Sequence, residues 1–169
     1  MITKNASPFD ATRPGEQEAA LPDRCDAALV FIGRIRTPFA SRAECPRRGR
    51  PDGPLCRIEI DPPWREALTG IDAYERIEVL YWMHQARRDL VLQSPRTHGA
   101  PIGTFALRSP VRPNPIATSI VTLAGIEDGV LLVRGLDCVD GTPLVDLKPE
   151  RTAFVPLAPA KPGVAETEG

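Results

Sequence analysis

The sequence predicts an all-β, or mainly β, protein: a small antiparallel or mixed barrel with short helices and long loops. Three observations predict it. Short apolar-rich runs follow one another closely, without the repeating strand–helix alternation of a parallel sheet. Two Asp-Gly pairs, Asp128-Gly129 and Asp140-Gly141, fall between such runs, where tight turns require them. The 19 prolines among 169 residues break helices into short pieces.

Taken in order, residues 1–26 are polar, lack hydrophobic periodicity and are expected to form a flexible arm. They show no apolar signal-peptide core. AALVFIGRIR (Ala27–Arg36) reads as a strand stopped by Thr37-Pro38, and the loop FASRAECPRRGRPDGP follows. CRIEI (Cys56–Ile60) is a short strand. PPWREALTGI reads as a short helix, with Asp61 placed to cap it, prolines at its entry and Gly70 at its end. ERIEVLYWMH (Glu75–His84) is a strong strand, and TFALR (Thr104–Arg108) is another. IATSIVTLAGI and VLLVRGL form a hairpin around Asp128-Gly129, and TPLVDLKP is the last strand. The foldable core is thus expected at 27–152, followed by a flexible Pro/Ala-rich tail at 153–169.

Composition removes several function classes. The formal net charge of −1 offers no global basic field, so a nucleic acid would have to be held by local arginine clusters. No apolar run is long enough to span a membrane. Cys25, Cys45, Cys56 and Cys138 form no CxxC pair, and there are two histidines, so no metal site is expected. Free thiols in a reducing cytoplasm are the expectation. No GxGxxG follows a strand, which leaves a Rossmann dinucleotide site unsupported.

Four stretches can carry chemistry. In RSPVRPNPIATS (Arg108–Ser119), Pro110, Pro113 and Pro115 stiffen a loop bearing Arg108 and Arg112, leaving its carbonyls and Asn114 to face a ligand. The alternative is a rigid crossover with solvated arginines. CPRRGR (Cys45–Arg50) presents arginines suited to a phosphate or carboxylate, or is simply a solvated loop. His84 and Gln85 end the strong strand, where His84 is either a pocket-rim group or a satisfied structural histidine. LDCVDGTPLVDLKP (Leu136–Pro149) gathers Asp137, Asp140 and Asp146 around a turn. These carboxylates suit an ammonium, ribose hydroxyls or a cation without EF-hand spacing, or they serve the turn alone.

Together, IGRIRTPF, PRR, HQ, RSPVRPNPIA and LDCVDGTPLVDLKP, in this order from about Ile32 to Pro149, resemble the TsaA-like family. The resemblance implies a small TsaA-like β-barrel and a homodimer with its cofactor near the subunit interface. It also implies S-adenosyl-L-methionine-dependent methyl transfer to N6-threonylcarbamoyladenosine next to the anticodon of tRNA. Carried over by motif, the cofactor contacts fall on Pro46, Arg47, Arg48, His84, Gln85, Arg108, Thr118, Leu136, Asp137, Cys138 and Val139. Arg112 and Asn114 are expected on the substrate side. His84, Asp137 and Asp140 are the candidates if a general base is needed. Ala117 stands where the family often has Gly. Several bacterial relatives carry a further C-terminal domain, so tRNA contact here is expected through the dimer surface alone. A methyltransferase acting on a small metabolite and a non-enzymatic S-adenosylmethionine-binding module are the alternatives.

Overall fold

In the computed structural model, which describes residues 11–24, 26–94 and 100–150, strands account for the core. They are β1 (Gln17–Glu18), β2 (Gly33–Arg36), β3 (Leu55–Ile60), β4 (Arg76–Trp82), β5 (Leu90–Gln93), β6 (Ile102–Gly103), β7 (Ile116–Glu127), β8 (Val130–Arg134) and β9 (Thr142–Pro149). Six of them close into a barrel in the order β2-β3-β8-β7-β4-β9, with β9 pairing back to β2. Every pairing is antiparallel. Closure leaves no barrel strand with an unpaired edge.

Alternation along the strands fills the interior. Ile35, Ile58, Ile77, Val79, Val121, Leu131, Val133 and Leu144 are each at most 1% exposed, while their sequence neighbours Arg34, Arg36, Arg57 and Glu59 face outward. Gly33 sits at a close crossing: a Cβ there would lie 2.1 Å from the carbonyl oxygen of Glu59. The β7–β8 hairpin turns on Asp128 (φ 48°) and Gly129 (φ 79°), two positive-φ residues as a two-residue hairpin of primed type demands.

The barrel class and the hairpin agree with the sequence reading, and four local expectations need correction. The first strand begins at Gly33 rather than Ala27. Its first cross-strand bond is Ile32 N–H to the carbonyl of Leu144, and Leu29, Val30 and Phe31 before it are exposed. The expected helix is a 3-10 segment, Pro62–Leu68, with no buried residue; Asp61 occupies the cap position without a side-chain bond, and Gly70 does follow its end in the left-handed region. A segment this short, entered through two prolines, offers the core only Leu68, at its end, which packs against it partly buried. TFALR is not a strand, for the reason given below. Finally, β1, β5 and β6 form a second, three-stranded sheet. Its first strand lies within the segment read as an arm, where Glu18 pairs with Arg87. The tail from 151 onward lies outside the described residues.

Candidate functional site

Three chain segments meet at one end of the barrel: the end of β4, the start of β7, and the 135–141 connection between β8 and β9. Tyr81 points into the barrel from β4 and is 2% exposed. Its hydroxyl donates to Oδ1 of Asp137 at 2.7 Å. Ser119 Oγ, on the adjacent strand, lies 2.9 Å from the phenol oxygen and donates to the same Oδ1 at 3.4 Å. Burial, then the neighbouring carboxylate, push the phenol's pKa well above its ordinary value, so Tyr81 remains a donor. Leu136 and Cys138, flanking Asp137, are 1% and 0% exposed and anchor the backbone on both sides. Their side chains belong to the core, so only their main chain can touch a ligand. Burial pushes the Cys138 thiol up to about 12, which makes it an inert filler.

Beside this network lies a small cavity of about 30 Å3, lined by Arg42, His84, Gln85, Pro110, Val139 and Thr142 among others. It brings His84, Gln85 and Val139 together with Pro110 of the proline loop. The backbone N–H of His84 donates to the carbonyl of Trp82, which turns the chain out of the strand. The ring's packed side is desolvated, which lowers its pKa below 6.5; Arg34 nearby acts in the same direction. Arg42 reaches across to the carbonyl of Gln85 at 3.0 Å.

The arginine loop is tied to the same end by its glycine. A Cβ on Gly49 would fall 1.7 Å from the carbonyl oxygen of Gly135 and 2.4 Å from its carbon. The loop therefore lies directly on the main chain that enters Leu136 and Asp137. Pro46, Arg47 and Arg48 are exposed, and neither arginine is bonded to another described residue. Cys45, next to them, donates to the carbonyl of Ser41; burial, together with Asp137 and Glu44, raises its thiol pKa.

The proline loop differs most from expectation. Its carbonyls do not face a ligand. Ser109 accepts from Arg112, Val111 from Gln93, Pro113 from Arg88, and Pro115 from the Met83 N–H. Arg112 Nε and Nη2 gather the carbonyls of Ser109 (3.0 Å), Leu107 (2.5 Å) and Thr104 (3.4 Å). One guanidinium can collect these carbonyls only if the chain curls, because successive carbonyls of a strand point to opposite sides. Thr104–Ala106 is accordingly a 3-10 turn. Buried Thr104 fixes it by donating to the Leu90 carbonyl and accepting from Gln93. Arg112, expected on the substrate side, is thus a brace within the loop. Arg108 and Asn114 are exposed, and Arg108 has no bond to another described residue.

Two further residues stand apart. Thr118 lies on the outer face of β7 and donates to Glu78 of β4 at 2.8 Å, away from the cavity. Asp140 accepts from the Thr37 N–H and faces Arg36 at 3.7 Å, so its carboxylate serves the turn. Asp146 pairs with Lys148. The three carboxylates of LDCVDGTPLVD therefore have separate partners, and no group of three potential ligands capable of holding a metal occurs among the described residues. Sequence reasoning missed Tyr81 and Ser119 as members of the site. The signal was Tyr81's position on the inner face of β4, where the other members are Ile77 and Val79.

A larger cleft of about 800 Å3 opens at the opposite end, between Arg65–Glu75 and the β7–β8 hairpin. None of the motif residues lines it, although Arg65, Thr69, Asp72 and Glu75 are among its walls. At the motif end, Arg42, His84 and Gln85 line the small cavity together with apolar Met83, Val139 and Pro110, a mixture of polar and apolar groups of the kind that small-molecule sites use.

The chain matches the family model for the tRNA-methyltransferase O N-terminal domain over residues 34–154. It is 53% identical over 149 residues to a probable S-adenosyl-L-methionine-binding protein, VirR, of Rhizobium radiobacter, covering 88% of this chain and 85% of that one. It is 35% identical over 142 residues to the tRNA (adenine(37)-N6)-methyltransferase of Escherichia coli K12, covering 78% of this chain and 59% of that protein. A crystal structure of TrmO from Pseudomonas aeruginosa superposes with a TM-score of 0.66 at 31% identity, over 84% of this chain and 64% of that one. The chain therefore spans less than two thirds of the E. coli enzyme and of the solved chain.

Proposed function

This chain belongs to the tRNA-methyltransferase O family, and from that premise we propose that it is an S-adenosylmethionine-dependent methyltransferase acting on N6-threonylcarbamoyladenosine beside the anticodon of tRNA. The observation that carries this reading is the meeting of three separate motifs at one barrel end. The Gly49-tied arginine loop, the His84-Gln85 cavity and the held carboxylate of Asp137 converge there although up to about ninety residues of sequence separate them.

When bound, S-adenosylmethionine supplies a methyl group already made electrophilic by its positively charged sulfur. Little covalent work is left to the protein. Its tasks are to orient the acceptor nitrogen and to exclude competing positions. Asp137, Gln85 and the main chain of Leu136–Val139 hold the cofactor. Arg47, Arg48 and Arg108 supply the exposed cations that the near-neutral chain needs for RNA phosphates or for the carboxylate of the modified adenosine. Methylation at N6 releases the proton of that nitrogen. His84, kept neutral at pH 7 by its lowered pKa, is the best placed of the three candidate bases, because Asp140 is committed to its turn and Asp137 to Tyr81.

The reading includes a homodimer. A cavity of about 30 Å3 is far below the several hundred Å3 that a nucleoside-sized ligand occupies, and Thr118 faces outward rather than into it. A second copy supplies the missing wall and the use for Thr118. The test is transfer of a radiolabelled methyl group to tRNA carrying the threonylcarbamoyl group, with unmodified transcript as control. Label in the modified tRNA alone supports the proposal. Label in the transcript but not the modified form refutes it. Cofactor binding without transfer to either identifies a binding module or a different acceptor.

A further inference from the structure

The inner face of β4 carries Ile77, Val79 and Tyr81, and an apolar residue would satisfy the core at the third position as it does at the first two. A buried phenol instead requires a partner, since an unpaired hydroxyl away from water is costly. Its partners are specific: Asp137 Oδ1 at 2.7 Å and Ser119 Oγ at 2.9 Å. Both hydroxyls come from adjacent barrel strands, and neither takes part in the strand ladders. Their common effect falls on one carboxylate oxygen. Asp137 Oδ2 is left without a hydrogen bond among the described residues. The main chain on either side is pinned by the buried side chains of Leu136 and Cys138. Asp137 is thus held at its main chain by its buried neighbours and at Oδ1 by two hydroxyls.

We infer that Tyr81 and Ser119 are positioning residues of the methyl-transfer site, which act through Asp137 to present Oδ2 as a pre-oriented acceptor for a hydrogen-bond donor of bound S-adenosylmethionine. The inference rests on the reading of this chain as an S-adenosylmethionine-dependent methyltransferase. An acceptor already fixed has less freedom to lose on binding, so the hydroxyls raise affinity without touching the ligand. A structural role alone would leave ligand affinity untouched.

The experiment is a double-mutant cycle read by calorimetric titration with S-adenosylmethionine, using full-length protein and following thermal unfolding of each variant. Tyr81→Phe removes the donor and keeps the ring, and Asp137→Asn removes the charge and keeps the shape. Each single change is expected to raise Kd about tenfold. The pair together is expected to do no more than Asp137→Asn alone, because Tyr81 acts only through that carboxylate. Wild-type affinity in Tyr81→Phe overturns the inference, and so do independent effects whose fold-changes multiply. Should Tyr81→Phe fail to fold, Ser119→Ala paired with Asp137→Asn reads the same coupling. Wild-type protein that gives no binding heat overturns the methyltransferase reading itself, an outcome distinct from loss of coupling.

Discussion

Gly49→Ala perturbs the site without touching a charged or polar side chain. The added methyl would stand 1.7 Å from the carbonyl oxygen of Gly135, where ordinary contact begins near 3.4 Å. Both partners are main chain, and Gly135, at φ 113°, has the main chain of Ile120 and Val121 3.2 Å and 3.4 Å from where a Cβ of its own would lie, so it has little room to retreat. The arginine loop must lift by some 1.7 Å instead. Overpacking of this size costs about 1–3 kcal/mol, and a loop free to move on its solvent side puts the expected loss near 1 kcal/mol. The functional loss is larger, because Arg47 and Arg48 leave the Asp137 end by more than an ångström. A misplacement of that order costs about a hundredfold in transfer rate and about tenfold in cofactor affinity. Denaturant unfolding and calorimetric titration measure the two losses. Gly103→Ala is the control: a Cβ there meets nothing within 4 Å, so neither quantity should move. Unchanged affinity and rate in Gly49→Ala would refute the placement of the arginine loop at the site.

Further outcomes are expected elsewhere in the molecule. Arg112→Ala strips the brace from the carbonyls of Thr104, Leu107 and Ser109 and should lower unfolding free energy by about 2 kcal/mol, seen as a reduced denaturant midpoint. The His84 imidazole should titrate below 6.5 by NMR in a His98→Asn background, and a value at or above 6.5 contradicts the desolvated ring. The sign for stability follows: the unfolded chain takes up the proton first, so this contribution is whole above pH 6.5 and is lost as pH falls through the lower folded-state value. His84→Gln should flatten that segment of the stability–pH curve. Alkylating reagent at pH 8 should leave Cys138 unmodified in the folded protein, since its thiol is pushed up to about 12 and is 0% exposed.

Much of the barrel was legible because its information is local. Asp128-Gly129 specifies a hairpin by its φ requirements alone, and alternation fixes the buried faces of CRIEI, ERIEVLYW and TPLV. What could not be read depends on distant side chains. TFALR has a strand-like composition, but Arg112, Gln93 and Leu90 curl it into a turn. The proline loop's carbonyls are consumed by Arg88, Gln93 and Arg112, whose directions no spacing rule gives. The motifs pointed to the main-chain framework of the candidate site. Tyr81 and Ser119 stayed hidden because period-two logic assigns inward residues to packing, whereas here two of them carry hydroxyls to a carboxylate from another segment.

Whether this barrel end binds S-adenosylmethionine is decided by calorimetric titration of the wild-type protein alongside Arg108→Ala. Arg108 is exposed, bonded to no other described residue, and carried by the braced proline loop, so its removal should leave folding intact. Saturable binding is expected of the wild type, and binding weaker by about tenfold of the variant. Absence of binding heat in the wild type, or identical affinity in both proteins, would contradict this expectation.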